Sequence, residues 1–137
     1  MNNKKLFTIG LLGSIAVALG ALGAHFLKSK LQSGLITQDQ LTGFDTGVKY
    51  QMYHVLGMLA IVLLQKQNSH KFFDWAYACF FWGIVMFSGS LYFLTTRNLF
   101  GADWLKALGP ITPLGGICFI AGWILLAVVG LKSKNEN

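Results

Sequence analysis

Long apolar runs separated by short polar connections set the pattern of this chain. Four runs, at about residues 6–27, 48–64, 72–94 and 111–131, are close to the length of roughly 20 residues that a helix needs to cross a hydrocarbon core at 1.5 Å per residue. The first contains no formal charge, the second carries Lys49, Gln51 and His54 in its first two turns, and the third opens with Asp74. Lipid offers no partners to an open backbone, and uninterrupted apolar runs satisfy their own hydrogen bonds as helices. The pattern predicts an all-α fold: an integral membrane antiparallel four-helix bundle, one transmembrane domain over residues 1–137.

The connections differ in kind. Gln65 to Lys71 reads as a short hairpin link, whereas Lys28 to Gly47 and Thr95 to Pro110 are longer and amphipathic. Thr37 followed by Gln40 matches a capping box. A helix is predicted to start there and run into the second span, with Leu41, Phe44 and Val48 along one side and a bend near Gly43 and Gly47. Trp104, Leu105 and Leu108 beside Asp103 and Lys106 predict a short helix in the headgroup layer. Gly109 and Pro110 break the chain, Thr112 is placed to cap the last helix, and Pro113 suits its first turn. Lys4 and Lys5 before an apolar run ending in Ala21 to Ala24 also fit a signal peptide. That run exceeds the roughly 7 to 15 residues of a signal core, which favours a retained helix.

Composition sharpens the class. Apolar residues make up 54% of the 137 and charged residues 12%, about half the proportion of soluble domains. A water-soluble fold of this size is excluded, because a small globule exposes too much of its chain. The net charge of +6 implies no nucleic acid, since the basic residues flank the spans and suit anionic lipid headgroups. Lys4, Lys5, Lys66, Lys71, Lys132 and Lys134 fall on one side; Lys28, Lys30, Lys49, Arg97 and Lys106 fall on the other. Six against five places both termini in the cytoplasm by the positive-inside rule.

In an antiparallel bundle the polar residues of the spans gather in one half: His25, Lys49, Tyr50, Gln51, His54, Ser88, Ser90, Tyr92 and Thr112. The other half holds Thr8, Asp74, Tyr77 and little else. Helical rise puts His54 and Ser88 roughly 9 Å below the outer boundary, and Tyr50 and His54 share a stripe with Gln51 beside them. Unpaired polar groups at that depth are costly, so a buried, mutually bonded outer-leaflet network is predicted. Its plainest role is to tie helices together, at about 0.6 kcal/mol per interhelical bond. Such a network would also sense acid, since an unperturbed imidazole becomes cationic near pH 6.5.

Other chemistry is weaker. His25 and His54 on neighbouring helices, with Cys118 at similar depth, raise the idea of a metal or haem site, but no ligand-spacing motif accompanies them and none is expected. Cys79 and Cys118 should differ in depth by roughly 10 Å, too far for a disulfide. Trp82 and Trp123 fall near mid-membrane, where they are expected to pack against helices or lipid tails. No nucleophile elbow, phosphate loop or carboxylate pair is present, and the chain reads as a non-enzyme without cofactor. Small residues speak for packing: Gly10, Ser14 and Ala18, and Ala16, Gly20 and Ala24, lie on two faces of the first helix. Cys79 with Gly83, Cys118 with Gly122, and Gly115 with Gly116 extend this set to the third and fourth helices.

Four ordered segments carry a family resemblance: Gly23-Ala24-His25; Phe44 to His54; Ser88-Gly89-Ser90-Leu91-Tyr92; and Ile111 to Gly116 followed by Ala121-Gly122-Trp123. Together they resemble the bacterial family called domain of unknown function 423, small four-helix inner-membrane proteins similar to a eukaryotic transmembrane protein. The resemblance implies a multi-pass protein of the bacterial plasma membrane, with no established reaction, substrate or cofactor. Its motif positions fall on His25, Gly47, Tyr50, Gln51, His54, Ser88, Gly89, Ser90, Tyr92, Thr112, Pro113, Gly115 and Gly116. The expected function is a membrane protein that self-associates or binds another membrane protein, supporting envelope integrity or scaffolding. A conduit lined by the polar cluster, or a haem or quinone module between His25 and His54, are the alternatives.

Overall fold

The computed structural model describes residues 3–67 and 69–134. Four long apolar helices, and no strand, make up the described residues: α1, Asn3–Gln32; α2, Gln38–Leu64; α3, Lys71–Leu99; and α4, Ile111–Lys134. A short 3-10 helix, Asp103–Leu108, precedes α4 and leaves Trp104 exposed, as its interfacial pattern predicts.

The start of α2 follows from its cap. The Thr37 hydroxyl accepts from the Gln40 amide while the Gln40 side chain accepts from the Thr37 amide, and the helix continues from Gln38 to Leu64. The second span therefore begins about ten residues before the apolar run that marks it in the sequence. Thr112 behaves differently from its expected capping role. The helix already includes Ile111, and the Thr112 hydroxyl bonds Ser90 of α3 instead.

Neither α1 nor α3 is a plain α-helix. A π turn, Gly23–Leu27, interrupts α1, and another, Ile84–Ser88, interrupts α3. A π turn inserts one residue and rotates every face beyond it, so spacing rules that assume 3.6 residues per turn fail across it.

Successive helices lie side by side, α1 on α2, α2 on α3 and α3 on α4. The core is divided in two. An inner cluster joins Ile9, Met58, Ile61, Phe80, Phe119 and Val129; an outer one joins Leu27, Ile36 and Phe44. Bringing the end of α1 to the start of α2 is what antiparallel packing requires. Glycines set how closely the helices approach. A Cβ on Gly115 would sit 2.3 Å from the Phe87 backbone nitrogen, so α4 rests directly against the π turn of α3. A Cβ on Gly83 would meet the Phe119 ring at 2.4 Å, and one on Gly122 the Phe80 ring at 2.5 Å.

Candidate functional site

The polar residues of the outer half do assemble, but as separate linkages rather than one network. Gln51 is buried between α1, α2 and α3: its Nε2 donates to the Leu12 carbonyl at 2.7 Å, and its Oε1 accepts from the Tyr92 hydroxyl at 2.7 Å. Ser88, fully buried at the end of the α3 π turn, donates to the Gly47 carbonyl of α2 at 2.7 Å. Ser90 and Thr112 share a hydrogen bond of 2.6 Å between α3 and α4. Every one of these bonds crosses a helix boundary, so each orders two helices while satisfying a group that lipid would leave bare.

His54 forms a fourth linkage, and its chemistry is the most defined. Its Nε2 accepts from the Trp123 indole at 3.1 Å, and its Nδ1 lies 2.7 Å from the Tyr50 carbonyl. An indole nitrogen only donates and a carbonyl only accepts, so the ring is neutral with its proton on Nδ1. Its plane lies 10° from that of Phe119 with centroids 3.5 Å apart, and Phe80 meets it edge-on at 5.1 Å. Both nitrogens are occupied, so His54 presents no lone pair to a metal or haem iron.

His25 does not join. Its side chain is exposed, and among the described residues no hydrogen bond or ring contact links it to the cluster. The π turn that contains it turns Gly23 and Leu27 inward, where Gly23 faces the Phe44 ring. Ala24 is exposed for the same reason, whereas Ala16 is buried and Gly20 packs on Val48. Tyr50 is exposed on one edge and packs at a tilt against Phe87, with ring centroids 4.8 Å apart. Gly116 has only the edge of Phe87 within reach, at 3.9 Å, and borders an open groove between α2 and α4. That groove, about 590 Å³, is walled by Tyr50, Tyr53, His54, Phe87, Phe119 and Trp123. Cys79 lies against Gly122, one turn beyond Cys118, and both thiols are free.

Two features escaped the sequence. Trp123 supplies the hydrogen bond that sets the His54 tautomer, although its apolar surroundings pointed only to packing. The inner half carries a charged knot that joins three helices. Lys5 Nζ meets Asp74 Oδ1 at 2.5 Å and Gln65 Oε1 at 3.0 Å, Gln65 Nε2 donates to the same Asp74 oxygen at 2.9 Å, and the Tyr77 hydroxyl donates to the Lys5 carbonyl at 3.2 Å. The first turns of α1 and α3 and the end of α2 are tied at one point. Lys5 and Asp74 in the first turns of their helices were the available signal, and antiparallel topology puts both at the same level.

A family profile described as "Protein of unknown function (DUF423)" matches residues 19–116. The chain belongs to this family. It is 40% identical over 130 residues to a UPF0382 membrane protein of Staphylococcus epidermidis, covering 94% of this chain and 97% of that one. A UPF0382 membrane protein of Haemophilus influenzae is 38% identical over 135 residues, 98% of this chain and 99% of the relative. The UPF0382 inner membrane protein of Escherichia coli is 34% identical over 125 residues, 91% and 87% of the two chains. No solved structure matches. With four helices long and apolar enough to span a bilayer, this DUF423 protein is a small polytopic membrane protein.

Proposed function

We propose that this protein is a non-catalytic membrane scaffold that self-associates through the outward face of α1 and so supports the integrity of a bacterial inner membrane, with both termini in the cytoplasm. One observation carries the reading. Only 17% of the most apolar stretch of α1 is buried, against 44% for α2, and the uncovered side presents small residues at four-residue spacing. Gly10, Ser14 and Ala18 are all exposed, and no atom lies within 4 Å of where a Gly10 Cβ would sit. Ile9, Gly13, Ala16 and Gly20 line the opposite side and face α2 or the core. Small residues at this spacing let helix backbones approach across an interface, which is the geometry of dimerising membrane helices. The polar linkages, each closed on itself, support a structural reading over a conduit.

The test is disulfide trapping of Ser14→Cys in native membranes, in a background carrying Cys79→Ala and Cys118→Ala. A crosslinked dimer is expected, and Gly10→Leu with Ala18→Leu should reduce it strongly. A chain that is never trapped and runs as a monomer in native mass spectrometry would refute the reading.

A further inference from the structure

The groove between α2 and α4 lies on a different face from α1 and has a chemistry of its own. Its walls are flat rings at close mutual range: Tyr50 is 4.8 Å from Phe87, Phe87 is 5.5 Å from Phe119, and Phe119 covers the imidazole of His54. His54 and Trp123 use their polar atoms on each other, so the floor offers an occupant neither a lone pair nor an N–H. Two polar groups of the walls remain open among the described residues, the hydroxyls of Tyr50 and Tyr53. The Tyr50 hydroxyl has no hydrogen-bond partner among the described residues, although the other tyrosine hydroxyls facing the bundle, Tyr77 and Tyr92, are both bonded. Tyr53, three residues further along α2, also lines the groove and lies close enough to Lys49 to interact with its charge. Tyr50 lies one turn outward of His54 on α2, roughly 6 Å at helical rise, so its ring stands close to the outer edge of the hydrocarbon core.

A phenol O–H at the wall of the groove is placed to donate to an acceptor that the occupant brings. Aromatic walls favour a planar ring, which stacks on them, over a flexible acyl chain, which gains nothing specific from flatness. The cavity of about 590 Å³ suits a ring with the first part of a tail. We propose that this groove binds a membrane quinone, a planar ring carrying carbonyl oxygens on an apolar tail, with one carbonyl accepting from Tyr50 and the ring lying against Phe87 and Phe119. The proposal concerns binding alone and stands whether or not α1 mediates self-association.

Trp123 borders the groove and reports on it. The protein in nanodiscs of phosphatidylethanolamine and phosphatidylglycerol is titrated with decylubiquinone while tryptophan emission is followed. Saturable quenching is expected, absent from Trp123→Phe. Tyr50→Phe keeps the ring contacts and should weaken half-saturation about tenfold, the loss of one well-made hydrogen bond in an apolar site. Gly116→Leu fills the groove from a position with free space and should abolish the saturable phase. Native mass spectrometry of protein extracted in mild detergent reads the natural occupant. Linear quenching that is identical in all variants would mean partition into the bilayer and would overturn the proposal. So would a phospholipid retained in the groove that decylubiquinone does not displace.

Discussion

At the scale of single residues, the buried polar side chains act as ties between helices, and their partners decide how each responds to change. Gln51 serves two at once, so Gln51→Leu removes the acceptor of Tyr92 and the donor to Leu12 together. We expect a loss of about 1–2 kcal/mol, read as a lower thermal midpoint in detergent, with little change in helix content by circular dichroism. His54 responds to acid. Tyr50, Phe80, Phe119 and Trp123 surround the ring, and among the described residues no carboxylate contacts it to compensate a positive charge. A proton on Nε2 would also set two N–H groups against each other at Trp123. The neutral form is the one this fold holds, so stability is present at higher pH and is lost as pH falls. The thermal midpoint should drop between pH 8 and pH 5, and His54→Gln should flatten that dependence.

At the scale of elements, the two π turns explain where regular spacing misleads. Gly23-Ala24-His25 looks like a helix end offering its histidine to the bundle, yet the π turn presents Gly23 and Leu27 inward and leaves His25 outside. In α3 the π turn instead brings Phe87 against Gly115 and Ser88 against Gly47. Neighbouring glycines of α4 should therefore behave oppositely. Gly115→Ala drives a Cβ into the Phe87 backbone, which cannot yield as a flexible side chain would, and should cost about 3 kcal/mol or prevent assembly. Gly116→Ala has room and should change stability by less than about 0.5 kcal/mol. Detergent-denaturation midpoints of the two variants check this directly. The capping box at Thr37 was legible because it is local, with donor and acceptor three residues apart on the same helix.

At the scale of the whole molecule, the inner knot of Lys5, Gln65 and Asp74 joins parts of the chain up to 69 residues apart. Asp74→Asn leaves the Lys5 ammonium with Gln65 and an amide. Because the Asp74 side chain is more than half exposed, the change in stability should be modest, about 1 kcal/mol or less, and should shrink with added salt. Retention of native far-ultraviolet dichroism with a midpoint shift that vanishes at high salt is the expected reading. The same knot bears on topology, since it sets Lys5 and Lys66 on one side with the start of α3. A fluorescent-protein fusion at the C-terminus should be bright and an alkaline phosphatase fusion at the same end inactive, as cytoplasmic termini require.

Composition and run length were enough to establish a four-helix membrane protein, because the bilayer imposes its own length and forbids open backbone whatever the side chains do. They also placed Gln51, His54, Ser88, Ser90, Tyr92 and Thr112 in one half of the bundle, since antiparallel connectivity sorts depth by position along the chain. Which of them bond to which was settled by packing. Rotation about each helix axis depends on glycine contacts and π turns, and these follow from how four surfaces fit together rather than from any one of them. For that reason His25 left the cluster, Trp123 entered it, and the aromatic groove beside Tyr50 became visible once α2 and α4 had both packed on α3.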